Sequence, residues 1–195
     1  TYLWLPSGNP GVTETGLGAG TYYCDVTDVL GCVPSTGSAP FIIGEPSSLT
    51  ASITTHINVS CFSLANGTAT VTANGGTGIP TYLWTDGQTT ATATGLVAGT
   101  YTCTVTDGHG CTIDLPVTIT QPNEILPNFS ITNISCSGLT DGAATVSPTG
   151  GSGNYIITWF DGTLGNTYAP LSAGTWSVII TDDNLCPTLS TTAAV

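Results

Sequence analysis

The sequence predicts an all-β protein built as tandem β-sandwich repeats of about 75 to 80 residues, and three observations carry that reading. Thr is the commonest residue and is joined by Val, Ile and Tyr, all of which favour strands, while Gly, Asn, Asp and Pro punctuate them. The helix formers Lys, Arg and Met are absent. An ordered set of short motifs recurs along the chain at a nearly constant spacing.

Composition narrows the function classes. Charged residues make up 6% of the 195, against roughly 25% in an ordinary soluble domain. With no Lys or Arg, twelve acidic residues and two His, the chain cannot neutralise phosphates. Nucleic-acid binding and attachment to anionic lipid through a basic patch are therefore excluded. Apolar runs are only a few residues long, far short of the ~18 that a spanning helix needs, so direct membrane insertion is not expected. Internal salt bridges are almost ruled out, which leaves apolar burial, backbone hydrogen bonds and disulfides to hold the fold. Trypsin-like proteases have no site in such a chain, which suits an exposed extracellular life.

The repeat is read directly. Asn58-Val-Ser-Cys61 matches Asn133-Ile-Ser-Cys136 at an offset of 75, and no gap is needed up to Cys111 and Cys186. Within that stretch Gly75-Gly76 matches Gly150-Gly151, Trp84 matches Trp159, Ala98-Gly99-Thr100-Tyr101 matches Ala173-Gly174-Thr175-Trp176, and Asp107 matches Asp182. The N-terminal segment repeats only the second half: Trp4 matches Trp84, Tyr22 matches Tyr101, Asp28 matches Asp107 and Cys32 matches Cys111. Pro after a last strand removes a ladder donor, so boundaries are placed after Pro46 and Pro122. The expected organisation is a C-terminal half-repeat over 1–46 and complete sandwiches over 47–122 and 123–195. Residue 1 falls inside the pattern and reads as a cut or processed end.

In the second repeat, strands are expected over 50–58, 68–73, 81–85, 89–94, 101–106 and 111–119, with turns at Asn66-Gly67, Asn74-Gly75-Gly76, Asp86-Gly87 and 107–110. Short strands separated by turns every 8 to 12 residues indicate a sandwich. Ala98-Gly-Thr-Tyr101-Thr-Cys103, with Trp84 on the preceding central strand, resembles the tyrosine corner of immunoglobulin-like domains. In the third repeat Trp176 replaces the Tyr, and an indole is not expected to reproduce the hydroxyl's bond.

The motif order Ile/Val-Ser-Cys, Asp/Asn-Gly-x-Ala, Gly-Gly, Tyr-x-Trp, Asp-Gly, Leu-x-Ala-Gly-Thr-Tyr, Val-Thr-Asp, Gly-Cys and Ile-Thr-Gln-Pro resembles the SprB-type repeat of large secreted surface proteins of Bacteroidetes. The third repeat departs by lacking the Gly before Cys186. The resemblance implies export to the cell surface, long repetitive stalks, adhesion to surfaces or polysaccharides, and no catalytic residues.

Seven Cys without metal-type pairs suggest an oxidising compartment. Cys61 with Cys111 and Cys136 with Cys186 occupy equivalent positions 50 residues apart, and one bridge within each repeat is expected, worth at most ~4 kcal/mol by loop entropy. Cys32 is left unpaired or intermolecular. Cys24 and Cys103 align with Val178, which reads as a core position. Sequons make Asn58, Asn66, Asn128 and Asn133 candidates for glycosylation, with Asn66 better explained by a turn. Asp28, Asp107 and Asp182, and Asp86 and Asp161, read as turn residues; Ca²⁺ between domains is the alternative, and otherwise no metal or cofactor is expected. His56 and His109 are not repeated, and no nucleophile, zinc or phosphate-loop motif occurs, so the protein is not expected to be an enzyme.

The expectation is therefore an extracellular stalk or filament of a bacterial surface, with an array of carbohydrate-binding modules as the alternative. Its partners would be other copies or preceding repeats, head to tail, and surface polysaccharide. Residues 1–46 have counterparts only for 81–122, so their missing strands are expected from outside. A preceding part of a longer polypeptide is preferred over a donor strand from a neighbouring subunit.

Overall fold

A computed structural model describes residues 1–33, 38–188 and 191–195; residues 34–37 of the expected first segment and 189–190 of the third repeat lie outside the described residues. The described elements are all strands, in antiparallel pairs. The fold is a tandem array of immunoglobulin-like sandwiches.

The first segment supplies β1 (Tyr2–Leu5), β2 (Gly20–Val26) and β3 (Phe41–Ile43), joined in one sheet in that order. The second repeat supplies β4 (Thr50–Ile57), β5 (Gly67–Asn74), β6 (Thr81–Trp84), β7 (Thr92–Leu96), β8 (Gly99–Thr106) and β9 (Thr112–Ile119). They form two sheets, β4-β5-β7 and β6-β8-β9. The third repeat supplies β10 (Asn123–Leu126), β11 (Phe129–Thr132), β12 (Gly142–Val146), β13 (Thr149–Gly151), β14 (Tyr155–Trp159), β15 (Thr167–Leu171), β16 (Thr175–Asp182) and β17 (Thr191–Ala194). Its sheets are β11-β12-β15 and β14-β16-β17, with β10 pairing separately on β13.

Alternation of side chains decides which face of each strand is buried. Ala69 and Val71 of β5, Ala93 and Leu96 of β7, Trp84 of β6, Cys103 and Val105 of β8, and Val117 and Ile119 of β9 meet between the sheets. In the third repeat Ala144, Val146, Ile157, Trp159, Leu171, Val178, Ile180 and Ala193 do the same. Trp84 and Trp159 are only 1% and 2% exposed. Each indole N–H, which burial would otherwise leave unpaired, donates to a main-chain carbonyl: Trp84 to Thr90 at 2.9 Å and Trp159 to Gly165 at 2.8 Å. This bond explains one shifted element. The strand expected over 89–94 is observed at Thr92–Leu96, because the Thr90 carbonyl is occupied by the indole and the chain joins the ladder only afterwards. Pro116 lies within β9, an edge strand, where a missing N–H is tolerated.

The corner motif is present in all three copies. The Tyr101 hydroxyl donates to Val97 O at 3.1 Å and the Tyr22 hydroxyl to Gly18 O at 3.0 Å. The third repeat corrects the expectation made for its indole: Trp176 Nε1 donates to Ser172 O at 3.2 Å, four residues upstream like the others. An indole N–H lies far enough along its ring to reach the same carbonyl.

The Gly-Gly pairs mark where the incoming chain crosses each sandwich. Gly75 and Gly150 have φ of 70° and 84°, and a Cβ on them would stand 2.1 Å from Ser48 O and 1.9 Å from Glu124 O. Only Gly permits both the left-handed backbone and that approach.

Among the described residues of the first segment, the single sheet has no second layer. Tyr2, Leu3, Phe41 and Ile42 are 41 to 77% exposed, although Trp4 packs on Phe41 at 5.6 Å between ring centroids.

Candidate functional site at the repeat junction

Each sandwich has two ends, and the sequence builds a distinct loop at each. The loop at the entry end begins at an Asp and finishes at a Cys. Asp107 Oδ1 accepts from the amides of His109 and Cys111, both at 2.9 Å, while Oδ2 accepts from the Thr77 amide at 3.0 Å and its hydroxyl at 3.2 Å. Asp182 repeats the set, with Asn184 at 3.0 Å and Cys186 at 2.9 Å on Oδ1, and the Ser152 amide and hydroxyl at 2.8 and 3.2 Å on Oδ2. In the first segment Asp28 Oδ1 accepts from Leu30 and Cys32, both at 2.8 Å. Gly31, Gly110 and Leu185 each precede the Cys with φ of 82°, 84° and 60°. Leu185 thus adopts the left-handed turn without the Gly that the other copies use.

These bonds stabilise the carboxylates. The Cys111 amide above all, with Thr77 and His109 and against some desolvation, holds Asp107 down at about 2. Burial pushes Asp182 up, but the Cys186, Ser152 and Asn184 donors outweigh it and the net direction is down. The Cys32 and Leu30 amides lower Asp28. Each of these acids thus closes its own turn through main-chain donors.

The exit-end loop follows the first strand and carries the other Cys. Ser60 N donates to Asn66 Oδ1 at 3.1 Å, and Ser135 N to Asp141 Oδ1 at 3.0 Å. Leu64 N reaches Cys61 O at 3.2 Å and Leu139 N reaches Cys136 O at 3.1 Å. Ser63 and Gly138 take φ of 60° and 84° at the same loop position.

The two loops cannot meet within one repeat. Cys111 precedes Thr112, which pairs with Thr106 at one end of β9; Val59, two residues before Cys61, donates to Thr120 O just past the other end. Eight residues of strand, about 25 Å, lie between. A bridge needs Cα atoms within about 7 Å. The expected Cys61–Cys111 and Cys136–Cys186 pairs are accordingly not formed. Instead Cys61 of the second repeat bonds Cys186 of the third, with Cα atoms 5.6 Å apart. Cys32, Cys111 and Cys136 are free and exposed, and Cys24 and Cys103 are free, Cys103 being wholly buried in the core.

Around this bridge the exit end of one sandwich receives the entry end of the next. Asn184 Nδ2 donates to Ser60 O at 3.0 Å, and Ser63 N donates to the linker residue Gln121 at 3.0 Å. Phe62, Leu64, Pro122, Ile125, Leu126 and Pro187 line an open cleft of about 710 Å³ beside the sulfurs. Sequence reasoning singled out both cysteines but missed their pairing, and it missed Asn184, Ser60 and the cleft residues. Pairing by position within a repeat was the misleading signal; the distance along the strands was the one to follow.

The remaining candidates fall outside the junction's chemistry. Asn58 is exposed and accepts from Thr120 N at 3.0 Å through Oδ1. Asn66 Nδ2 donates to Ser60 Oγ at 2.7 Å and closes its own loop, and Asn128 Nδ2 donates to Thr149 Oγ1 at 3.0 Å, tying the start of β11 to that of β13. Asn133 is exposed. Asp86 Oδ1 accepts from Gln88 N at 3.1 Å and Asp161 Oδ1 from Thr163 N at 2.9 Å, again as turn residues. His56 and His109 are exposed and lie apart on a strand and an entry loop. Among the described residues no group of three or more His, Cys, Asp or Glu side chains is placed to hold a metal ion, and no helix is long and apolar enough to cross a membrane.

The SprB repeat family matches the chain twice, over residues 53–89 and 128–164, once in each complete repeat. No curated protein matches the chain. Similar solved structures include the fibronectin(III)-like modules of CbhA from Clostridium thermocellum, at 14% identity over 73% of this chain and 91% of that one, with a TM-score of 0.29. The N-terminal four Ig domains of Dscam1 isoform 9.44 match at 14% identity over 99% of this chain and 63% of that one, with a TM-score of 0.31.

Proposed function

Each complete repeat of this chain carries a match to the SprB repeat, and from that premise we propose that the protein is a segment of an extracellular stalk or filament on a bacterial surface, with an architectural and adhesive role rather than a catalytic one. The observation that carries the proposal is the junction. Consecutive sandwiches are joined by a covalent bridge, a short Pro-containing linker and the Asn184–Ser60 bond, an arrangement suited to holding domains in line. A surface without Lys or Arg suits exposure to proteases outside the cell. The described residues among 1–46 form one uncovered sheet, which favours completion by strands from a preceding part of a longer polypeptide or from a neighbour, and so a head-to-tail fibre.

The carbohydrate-binding alternative draws little support. The recurring Trp84 and Trp159 are buried with their N–H groups satisfied and offer no stacking face.

Electron microscopy of single particles tests the reading. Rods whose second and third sandwiches keep a narrow range of bend angles are expected, with a broader range in the Cys61→Ser variant. Collapsed particles, or a bend distribution indifferent to that substitution, would count against a stalk.

A further inference from the structure

The bridge at Cys61–Cys186 joins an exit-end loop to the entry-end loop of the following repeat, yet both kinds of loop occur elsewhere in the chain with their cysteines free. The free ones are shaped like the bonded ones. Cys136 lies in an exit loop with the same serine-to-acid-or-amide clasp as the loop of Cys61, a Leu139-to-Cys136 turn equivalent to Leu64-to-Cys61, and a left-handed backbone at the equivalent position, Gly138 for Ser63. Leu139 is 45% exposed, as is Leu64, which lines the occupied junction. Cys111 and Cys32 lie in entry loops held by Asp107 and Asp28 just as Asp182 holds that of Cys186. Nothing within a repeat can satisfy them, because its two cysteines stand about a strand's length apart.

Resting on the stalk reading, we infer that these cysteines are further halves of one inter-repeat staple: Cys136 bonds the entry-loop cysteine of a following SprB-type repeat, and Cys111 and Cys32 each bond the exit-loop cysteine of the repeat preceding their own. The occupant of the free exit end is the entry end of another such repeat, because that is what sits on the equivalent end of the second repeat. Each bridge forms by oxidation. Two thiols lose two protons and two electrons to a disulfide oxidant such as oxidised glutathione, which leaves as two reduced thiols, and the cysteine sulfurs become joined. The successive bridges overlap along the sequence, since an exit cysteine comes early in its repeat and its partner late in the next.

The test extends the full chain by one repeat. After Val195, Gln-Pro is added, followed by a second copy of residues 123–195, so that the added linker copies residues 121–122. The protein is refolded in a glutathione redox buffer, free thiols are alkylated, and pepsin peptides are mapped without reduction. The expected result is Cys61–Cys186 intact, Cys136 bonded to the added copy's counterpart of Cys186, and the last exit-loop cysteine alkylated. An intact Cys61–Cys186 with Cys136 alkylated, or bonded to Cys111 or Cys32, overturns the inference but not the stalk. Loss of Cys61–Cys186 as well overturns the inter-repeat staple altogether. The unextended chain in the same buffer gives an independent readout: Cys136 must remain open to alkylation, and a Cys136–Cys111 bridge within one chain overturns the inference without any appeal to the added repeat.

Discussion

The side-chain amide of Asn184 donates to the main-chain carbonyl of Ser60 at 3.0 Å, across 124 residues of sequence and next to the Cys61–Cys186 bridge. The position is not kept as Asn through the repeats, being His109 in the second and Leu30 in the first. Asn184→Ala should therefore leave the sandwiches intact and loosen the junction alone. A bond of about 1 kcal/mol corresponds to a roughly fivefold faster reduction of Cys61–Cys186 by dithiothreitol, read by timed alkylation. An unchanged rate would show that the bond does not hold the two ends together.

The corner bonds predict a paired result. Tyr101→Phe removes the bond to Val97 O, and Trp176→Phe the bond to Ser172 O, each lowering stability by about 1 kcal/mol in chemical denaturation. Trp176→Tyr should recover part of the loss in the third repeat, because a hydroxyl at that position makes the same reach in the other two copies.

Acid should weaken the protein in a defined window. Asp107 is held at about 2 in the folded chain, below its ordinary 3.8. A depressed folded pKa contributes stability that is present above the ordinary value and is lost as pH falls towards the folded one. The melting temperature is thus expected to hold down to about pH 4 and to fall between about pH 4 and 2. Asp107→Asn should lower it at neutral pH and flatten that fall. A parallel fall in the variant would assign the acid sensitivity to other groups.

Glycine substitutions should separate crowding from backbone preference. Gly150→Ala drives a Cβ into Glu124 O and should detach β10 from β13, costing well over the ~2 kcal/mol of its left-handed backbone alone. Gly162→Ala meets nothing within 4 Å at a φ of 86° and should lose only about 1–2 kcal/mol to the left-handed backbone. Equal effects would refute the contact argument.

All four sequon asparagines are exposed, and any N-linked glycan is expected on Asn58 and Asn133 ahead of Asn66 and Asn128, whose side-chain amide nitrogens are engaged as donors to Ser60 Oγ and Thr149 Oγ1. Glycopeptide mapping of the exported protein checks the order, and occupancy of Asn128 above Asn133 would contradict it.

Much of the fold was legible because strand periodicity and turn residues act locally. Trp84, Tyr101 and the Asp86-Gly87 turn mark the central strands of a sandwich from residue type and spacing alone. The fourth strand slipped because the indole of Trp84 takes the carbonyl of Thr90, a bond that no pattern of hydrophobicity reports. The corner in the third repeat is hidden by residue type, because the position of the Trp176 N–H on its ring, and not the identity of the group, decides whether the bond forms. The disulfide was missed for a different reason. Equal spacing of Cys61–Cys111 and Cys136–Cys186 says that the positions are equivalent, but equivalence does not bring them together; the length of β9 keeps the first pair apart. The junction needs two domains placed end to end, and that placement is a tertiary fact to which Asn184, Phe62 and Leu64 give no local clue.

The link between Cys61 and Cys186 also decides what a broken backbone means for this protein. A single scission anywhere between them, across a sequence separation of 125, leaves the two flanks covalently joined through sulfur. Pulled from its ends, the chain likewise cannot release the roughly 400 Å of extended length stored between those residues, even if both sandwiches lose their structure.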